Sequence, residues 1–306
     1  MPPDVQSLLL GHTPPMKQLA HRARLFAQRR RPILLLGESG TGKTWLAQRL
    51  HDLSPFRAGK FVPVPAPQLE ALGLPTLVGH SDHAYTGAKR SEPGAMEEAI
   101  NGTLFLDEVG VASPEVQNLL VTLVEASKVQ RLGERRRIPV RIRLMAATNE
   151  PLKLRVEQGR FRGDLYWRLK TFSLYLPPLR KRKHDIPDWA RQFLMEEADY
   201  EGLSAPVLSP GACQRLIEHE WPGNLRELKS VMARTLALLP DQPIIEADDL
   251  DFDASDPSGK PARVALTEDR VCRAIKRNGG NRTRAAEELG VTERHTRRIL
   301  PPERTA

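Results

Sequence analysis

The chain has 306 residues, of which 40% are hydrophobic and 27% are charged, and its mean hydropathy is −0.43. This length suits two or three domains with a substantial core, and the sequence shows neither a signal peptide nor an apolar run of membrane-span length, so we expect a cytoplasmic protein. The formal net charge of +8 indicates an acidic partner, for which nucleic acid is the commonest candidate. Cys213 and Cys272 lie far apart and outside any C-x-x-C arrangement, which argues against a disulfide framework or structural zinc.

A glycine-rich octapeptide follows the apolar run at residues 33–36 and precedes a stretch compatible with a helix. It matches GxxxxGK(S/T), the phosphate-binding P-loop, and consists of Gly37, Glu38, Ser39, Gly40, Thr41, Gly42, Lys43 and Thr44. In such a loop, backbone N–H groups wrap phosphate oxygens at a helix N-terminus, the lysine meets the β- and γ-phosphates, and the threonine hydroxyl can ligate Mg²⁺. A plain glycine-rich turn is the alternative, but the Lys-Thr pair and both flanks favour a site for ATP and Mg²⁺.

Four short apolar runs alternate with helix-like segments, and they lie at residues 33–36, 61–64, 103–106 and 141–146. This alternation is typical of an α/β P-loop domain in which the runs are parallel strands of one sheet. The third run ends in Asp107 and Glu108, which strand alternation points differently, so we predict that Asp107 binds the metal and Glu108 orients the attacking water. The fourth run leads to Asn149, which we expect to sense the γ-phosphate, although either strand end alone is a common pattern.

Helical periodicity dominates residues 185–239, and the composition then shifts to Pro, Asp, Ser and Gly with many acidic side chains. The first stretch predicts a small helical domain. The second cannot bury much apolar surface and predicts a linker that could hold one short ordered turn. We therefore expect an α/β ATPase subdomain at 8–178, a helical lid at 179–240, an acidic flexible linker at 241–264 and an all-α helix-turn-helix at 265–306.

The C-terminal segment from residue 260 carries twelve Lys or Arg against six Asp or Glu. Helical periodicity at 266–275, a Gly-Gly-Asn break, a turn at Gly290 and an N-cap residue at Thr292 predict a helix-turn-helix. We expect its basic second helix to meet base edges or phosphates in a major groove through Arg294, His295, Arg297 and Arg298. The alternative is a basic amphipathic helix that packs on the lid.

Residues 161–169, Phe-Arg-Gly-Asp-Leu-Tyr-Trp-Arg-Leu, resemble the arginine-finger region of the bacterial enhancer-binding proteins, the AAA+ activators of sigma-54 RNA polymerase. Other blocks of this NtrC-like family occur in the expected order. Residues 79–88 resemble the GAFTGA loop, residues 176–187 the start of the helical lid and residues 221–228 the sensor II motif. The C-terminal segment resembles the family's Fis-type DNA-binding domain, so the resemblance covers nearly the whole chain.

The resemblance implies an ATPase that binds upstream enhancer DNA and assembles into a ring of identical subunits, expected to be hexameric. Within that ring, Arg162 and Arg168 would be fingers that reach the γ-phosphate held by a neighbouring subunit, and Arg226 would report the nucleotide to the lid. Gly163 stands where the family tends to have an acidic residue. Because the AAA+ segment begins near the first residue, we expect control by a separate regulatory protein, by expression level or by nucleotide.

The resemblance also implies a contact with the sigma-54 RNA polymerase holoenzyme through Tyr85, Thr86 and Gly87 of the GAFTGA-like loop. His83 stands where the family usually has Gly, and Pro65 aligns with an Asn that hydrogen-bonds the catalytic Glu, so both departures affect how hydrolysis is coupled to the loop. They leave open an alternative function, a DNA-binding regulator that uses ATP only to assemble. A third class, a small-molecule kinase, conflicts with the helix-turn-helix.

Overall fold

The computed structural model describes residues 11–81, 91–134, 136–240, 242–252, 268–288 and 296. These residues form two compact units. The first holds the described residues up to Asp188 together with Glu220–Glu227, and the second holds Trp189–His219 and the described residues from Leu228 onward. No helix in the described part of the chain is long and apolar enough to cross a membrane.

The first unit is built around a five-stranded sheet in which every neighbouring pair is parallel. Its strands are β1 (Ile33–Leu36), β2 (Phe61–Pro65), β3 (Thr103–Asp107), β4 (Arg143–Thr148) and β5 (Ser173–Tyr175). They lie in the order β2-β3-β4-β1-β5. The parallel α/β architecture predicted from the sequence is thereby confirmed.

Helices and short hairpins surround this sheet. The described helices of the first unit are α1 (Pro14–Ala27), α2 (Lys43–Asp52), α3 (Ala66–Leu72), α4 (Pro75–Val78), α5 (Ala95–Glu98), α6 (Pro114–Ala126), α7 (Leu152–Glu157) and α8 (Gly163–Lys170). Two antiparallel pairs join Gly79–His80 to Glu92–Pro93 and Lys128–Gln130 to Arg137–Pro139. Turns of 3-10 helix lie at Val109–Val111, Leu179–Lys181 and Lys183–Asp185.

The sheet separates two apolar cores, because successive side chains of a strand point to opposite faces. In β1, Ile33 and Leu35 pack into a core that also holds Leu46 of α2, whereas Leu34 packs into the core that holds Leu104 of β3. All of these side chains are almost completely removed from water. Burial on both faces explains why the strands read as continuous apolar runs rather than as alternating patterns.

The sequence prediction of the strands is wrong in two details. β4 occupies Arg143–Thr148 instead of residues 141–146, because the strand starts at a buried arginine that interrupts the apolar pattern. β5 was not predicted: it has three residues, pairs with β1 alone among the described strands and carries an exposed tyrosine at Tyr175. A strand that short has no readable periodicity.

Arg143 ties two helices to the sheet. Its Nη2 donates to Phe26 O at 2.7 Å and its Nη1 to Leu50 O at 3.4 Å, and these carbonyls lie in the last turns of α1 and α2. Carbonyl groups at a helix C-terminus carry partial negative charge, so one guanidinium bonds a carbonyl at the end of each of two helices. Burial lowers the pKa of Arg143 to about 10, which still leaves it charged at neutral pH.

A second buried polar residue, His51, lies near this arginine, with its Nδ1 2.9 Å from Thr103 Oγ1. Burial is the main cause that lowers the pKa of His51, and the charge of Arg143 lowers it further. Asp52 and a backbone hydrogen bond at Gly59 oppose the shift. The folded protein therefore favours the neutral imidazole.

We expect the free energy of unfolding to decrease as the pH falls below about 6.5, the ordinary pKa of histidine, because the unfolded chain then takes up a proton that folded His51 resists. The loss of stability begins as the pH falls through about 6.5 and is complete once the pH lies below the lowered pKa of folded His51. Urea unfolding at about pH 7.5 and about pH 5.5 measures the effect. His51→Asn, which does not titrate, should show a smaller difference, and an unchanged difference would contradict this account.

The N-terminus of α1 is capped from a distant part of the chain. The buried Asp185 accepts hydrogen bonds from His12 N at 2.6 Å, Thr13 N at 3.1 Å and Thr13 Oγ1 at 2.7 Å. Thr13 is the N-cap residue, and 172 positions separate it from Asp185. A carboxylate at a helix N-terminus satisfies free N–H groups and complements the helix dipole.

The second unit is helical, as predicted for the lid. It holds all of α10 (Pro210–Glu218), α12 (Glu268–Arg277) and α13 (Arg282–Glu288) and most of α9 (Ile186–Glu201) and α11 (Asn224–Leu238). A parallel pair joins Val207–Leu208 to Ile244–Ile245. Between α12 and α13, Val271, Ala274, Ile275 and Ala285 form a small apolar core.

The prediction of a flexible linker from residue 241 is wrong for residues 242–252. Ile245 pairs with Leu208 and is fully buried, and Leu250 is also buried. A 3-10 turn at Ala247–Asp249 is closed by a capping box in which the side chains of Glu246 and Asp249 bond each other's backbone. The prediction overlooked these few buried apolar side chains because most of the residues around them are polar or acidic. Residues 253–264 of the predicted linker lie outside the described residues.

Candidate nucleotide-binding site

The glycine-rich loop connects β1 to α2, and its lysine folds back over it. Gly42 is the N-cap of α2 with φ 99°, a left-handed conformation that favours glycine. Lys43 begins the helix, is 6% exposed and donates through Nζ to Gly37 O at 3.0 Å and to Glu38 O at 3.1 Å. The loop thus surrounds the Lys43 ammonium group, which donates to two backbone carbonyls of the loop.

Charge and burial act in opposite directions on this lysine. Burial is the larger cause and lowers the pKa of Lys43, whereas the carboxylates of Glu108 and Asp107 raise it. Arg226 adds a smaller lowering effect. The predicted phosphate-binding lysine, the two predicted acidic residues and the predicted sensor arginine are therefore close enough to interact electrostatically.

The threonine of the loop meets the end of β3. Thr44 Oγ1 donates to Asp107 Oδ2 at 2.9 Å, and Asp107 Oδ1 accepts from Glu108 N at 3.1 Å. Glu108 has φ 57° and precedes the 3-10 turn at Val109–Val111. The predicted reason for the different directions of the two carboxylates is thus wrong: Glu108 has already left the strand, so a left-handed turn separates them rather than the alternation of a strand.

β4 ends beside β3 and delivers the next predicted residue. Thr148 is buried and its Oγ1 accepts from Glu150 N at 3.0 Å, while Asn149 between them is exposed. The Glu150 carboxylate is in turn held by the guanidinium of Arg155. Hydrogen bonds on both sides thus fix the short segment that carries Asn149.

Residues 220–227 form a turn that grips the P-loop. Leu225 N donates to Gly40 O at 2.9 Å, Asn224 Nδ2 donates to Ser39 O at 3.0 Å, and Arg226 Nη1 donates to Ser39 Oγ at 2.9 Å. A side chain on Gly40 would place its Cβ 2.2 Å from the carbonyl oxygen of the turn, so this contact requires glycine. The sensor-like motif therefore belongs to the wall of the nucleotide site.

Two arginines also bind the P-loop. Arg180 forms a two-pronged ion pair with Glu38, at 2.6 Å and 2.7 Å, and this bond is the main cause that lowers the pKa of the Glu38 carboxyl. Arg182 is 1% exposed and its Nη2 donates to Thr41 O at 2.8 Å. Burial lowers the pKa of Arg182 to about 10, and Asp185 opposes that shift.

Sequence reasoning assigned no role to Arg180, Arg182 or Asn224, although each stands in a block that carries the family resemblance. The signals were present, since Arg180 and Arg182 follow Pro-Pro-Leu and Asn224 follows Trp-Pro-Gly. The sequence does not reveal that these residues contact a loop that lies about 140 to 190 positions earlier in the chain.

We expect Asn224→Ala to destabilise the first unit by about 2 to 4 kcal/mol, because it leaves the buried Leu179 N without its partner, removes the bond to Ser39 O and places alanine at φ 54°. The loosened loop should also raise the KM for ATP. Asn224→Gly is the matched control, since glycine accepts the left-handed backbone and loses only the side-chain bonds. Urea unfolding should rank the wild type above the glycine variant and the glycine variant above the alanine variant; equal stability of all three would refute this assignment.

The two predicted arginine fingers lie on and before α8, away from the P-loop bonds. Arg162 pairs with Asp164 at 2.7 Å and donates to Asn118 Oδ1 at 2.5 Å, and Arg168 pairs with Glu125. The bond to Arg162 lowers the pKa of Asp164 to about 2. Both arginine side chains are a little less than half exposed in this single chain.

Several predicted residues lie outside the described part of the chain. They are Tyr85, Thr86 and Gly87 of the GAFTGA-like loop, His83 beside them, and Arg294, His295, Arg297 and Arg298 of the second helix of the predicted helix-turn-helix. The feet of the loop are described. Ser81 N donates to Leu132 O at 3.0 Å, and Ser91 Oγ donates to His80 O at 3.0 Å.

Comparisons with known proteins agree with this geometry. A family model described as sigma-54 interaction domain matches residues 9–175, and one described as AAA+ ATPase lid domain matches residues 180–265. The chain is 37% identical over 302 residues to the transcriptional regulatory protein ZraR of Klebsiella oxytoca, covering 95% of this chain and 68% of that protein. It is 35% identical to the Nif-specific regulatory protein of Azotobacter vinelandii, covering 94% of this chain and 57% of that protein.

A solved structure gives the same result. NtrX from Brucella abortus in complex with ATP resembles this chain with a TM-score of 0.70 and 31% sequence identity, over 95% of this chain and 68% of that chain. NtrX was also solved in complex with ADP. The chain spans between 57% and 68% of the length of these relatives.

Proposed function

The chain belongs to the family of AAA+ proteins that carry a sigma-54 interaction domain, and we propose that it is a sigma-54-dependent transcriptional activator. In this proposal it binds upstream enhancer DNA, assembles into a ring, hydrolyses ATP and remodels the closed complex of sigma-54 RNA polymerase. The observation that carries the proposal is a P-loop whose Lys43 and Thr44 stand beside Asp107 and Glu108, inside the segment that matches this family.

The oxygen atoms at the end of β3 fit Mg²⁺. Thr44 brings a hydroxyl and Asp107 a carboxylate oxygen to within 2.9 Å of each other, and Mg²⁺ prefers oxygen ligands with few of them from protein. Thr44 and Asp107 would hold the ion, whose charge offsets that of the β- and γ-phosphates when bound. Lys43, which now donates to two loop carbonyls, has the reach and charge to donate to phosphate oxygens instead.

The other residues around the loop divide the remaining tasks. Glu108 would orient the attacking water and accept its proton, a role that suits a carboxylate which has left the strand and is not used to hold the metal. Asn149 would contact the γ-phosphate from the end of β4. Arg226, already bonded to Ser39, would transmit the state of the nucleotide to α11.

Arg162 and Arg168 would complete the site of a neighbouring copy in a homo-oligomeric ring, which we propose to be hexameric. Both are now paired with carboxylates of their own chain at an exposed surface. Exposed ion pairs are worth only about 0 to 1 kcal/mol, so exchanging them for a triphosphate costs little. A guanidinium suits the exchange because it stays charged and can grip two phosphate oxygens.

The remaining assignments complete the proposal. The α/β ATPase subdomain would extend to residue 178, followed by the lid, and a Fis-type helix-turn-helix would read DNA through Arg294, His295, Arg297 and Arg298. Helices α12 and α13 with their small apolar core support this arrangement at the C-terminus. We place the protein in the cytoplasm, where its polymerase partner acts.

A second function, ATP used for assembly only, is supported by one observation. Pro65 is the register partner of Asp107 across β2 and β3, so the residue beside the catalytic carboxylates has no side-chain donor or acceptor. An ATPase assay over a range of protein concentrations separates the two functions. Turnover per chain that rises steeply with concentration supports fingers supplied by a neighbour, and nucleotide binding without turnover supports the second function.

The experiment that tests the main proposal is open-complex formation with sigma-54 holoenzyme and ATP, comparing the intact chain with Tyr85→Ala. We expect the substitution to abolish promoter melting while ATP turnover stays within about twofold of wild type, because the loop transmits force but is not part of the nucleotide site. Tyr200→Ala is the matched control, since Tyr200 is 83% exposed on α9. Melting by the Tyr85→Ala protein would exclude this loop as the contact.

A further inference from the structure

The two edges of the parallel sheet differ in how their charges are compensated. At the P-loop edge, where the strands end, Glu38 pairs with Arg180, and the carboxylates of Asp107 and Glu108 lie near the Lys43 ammonium group. The opposite edge is formed by the segments that lead into the five strands, and these are residues 28–32, 53–60, 99–102, 140–142 and 170–172. Not one of these five segments contains Asp or Glu.

This acid-free edge displays a group of exposed cations, which we name the basic edge. Its members are Arg29, Arg30, Arg31, Arg57, Lys60 and Arg141. None of the six forms an ion pair with a residue in the described ranges, whereas other arginines of the same unit, such as Arg131, Arg155 and Arg180, are paired with carboxylates. Six uncompensated charges at one edge repel one another, which favours an anionic partner.

Hydrogen bonds and one ring contact join the segments that carry these cations. Gln28 Nε2 donates to Leu53 O at 2.7 Å, which joins the segment of the three arginines to that of Arg57. Arg141 O accepts from Asn101 N at 2.8 Å, and its guanidinium lies 5.9 Å from the ring centre of Phe56. The basic edge is therefore fixed to packed strand ends and is not a set of independent side chains.

Its size and chemistry suit a duplex backbone. Lys60 precedes β2 and Arg31 precedes β1, three strand spacings apart, which is about 14 Å at about 4.8 Å per spacing. One DNA strand places a phosphate about every 3.4 Å along the axis, so this edge spans about four phosphates. Five of the six cations are arginines, whose planar fork matches phosphate oxygens.

We propose that the basic edge binds the phosphate backbone of duplex DNA without reading its sequence. This contact is separate from that of the proposed C-terminal helix-turn-helix and would hold the first unit itself against DNA. The inference relies on the proposed function only in taking DNA as the anionic polymer that this protein meets.

The test is the binding of the full chain to a fluorescent duplex of arbitrary sequence, followed by anisotropy between about 50 and about 200 mM salt. The variant is Arg29→Gln/Arg30→Gln/Arg31→Gln. The matched control is Lys17→Gln/Lys153→Gln/Arg160→Gln, which removes the same charge from exposed positions outside the five segments. Both are measured also in an Arg294→Ala/Arg297→Ala background, which weakens the proposed C-terminal reader.

We expect the slope of log affinity against log salt to fall by about 2 to 3 in the basic-edge variant, since each lost phosphate contact contributes about 0.9. Affinity at the lower salt concentration should fall at least about tenfold, more than in the control, and in both backgrounds. Equal losses in variant and control would overturn the proposal, as would loss of binding to anionic lipid vesicles with DNA binding unchanged. ATP turnover, measured in parallel, reports on the proposed function separately and should not change.

Discussion

Lys43→Ala should reduce ATP turnover about 10²- to 10³-fold, the usual effect of removing one preorganised donor from a site where charge develops. Lys43 is almost completely buried, begins α2 and is held inside the loop by two carbonyls, so its ammonium is positioned before nucleotide arrives. Alanine keeps the helix start but supplies no charge. The measurement is steady-state phosphate release at saturating ATP, and we expect promoter melting to disappear with it.

The matched control is Lys17→Ala, which removes an exposed lysine from the first turn of α1. It should leave turnover unchanged. Thermal unfolding of the Lys43→Ala protein should remain cooperative, because the hydrogen bonds that the substitution removes lie within the loop and do not link the loop to other elements. Turnover within a few fold of wild type, in a folded protein, would refute the assignment of this loop as the catalytic phosphate site.

Arg162→Ala should lower turnover by about 10³- to 10⁵-fold while leaving nucleotide affinity nearly unchanged, as expected for a finger that acts only on the transferring phosphate of another copy. Within one chain, Arg162 contacts Asp164 and Asn118 and no described residue of the P-loop. Its loss should therefore be silent in equilibrium binding of ATP to isolated chains. Arg160→Ala, a nearby exposed arginine, is the control.

Mixing two inactive proteins tests whether the finger acts between copies. A Lys43→Ala copy keeps its fingers, and an Arg162→Ala copy keeps its P-loop. When equal amounts mix at random in one closed ring, roughly a quarter of the subunit interfaces combine an intact P-loop with an intact finger. Turnover should therefore recover to about a quarter of the wild-type value. A mixture as inactive as its components would indicate that Arg162 serves its own chain or only the fold.

Sequence alone predicted the parts of the fold that depend on local pattern. The P-loop, the buried runs of β1 and β3 and the helical lid each have a signature within a few neighbouring residues. β5 was missed because three residues carry no period, and the start of β4 was misplaced because Arg143 looks like a boundary until its two helix-end carbonyls are known. The ordered residues 242–252 were missed because two buried apolar side chains are few against an acidic background.

The candidate site followed the same rule. Local sequence motifs were sufficient to assign roles to four residues without knowledge of the fold, namely Lys43, Thr44, Asp107 and Glu108. The grip on the P-loop could not be predicted, because Arg180, Arg182 and Asn224 act through backbone carbonyls and one carboxylate that only the fold brings near. No periodicity or spacing in a single sequence encodes such contacts.

The turn at residues 220–227 limits how this ATPase can be recombined with its relatives. Its compact unit is discontinuous, since one short piece is supplied from beyond the whole of α9 and α10. A fragment that stops at residue 178 would also lose Asp185, the cap of α1, and Arg182, the donor to Thr41. A chimaera joined at that boundary would combine the P-loop of one parent with the residues that bind it from another parent. We therefore expect functional chimaeras to take the P-loop and residues 179–227 from the same parent.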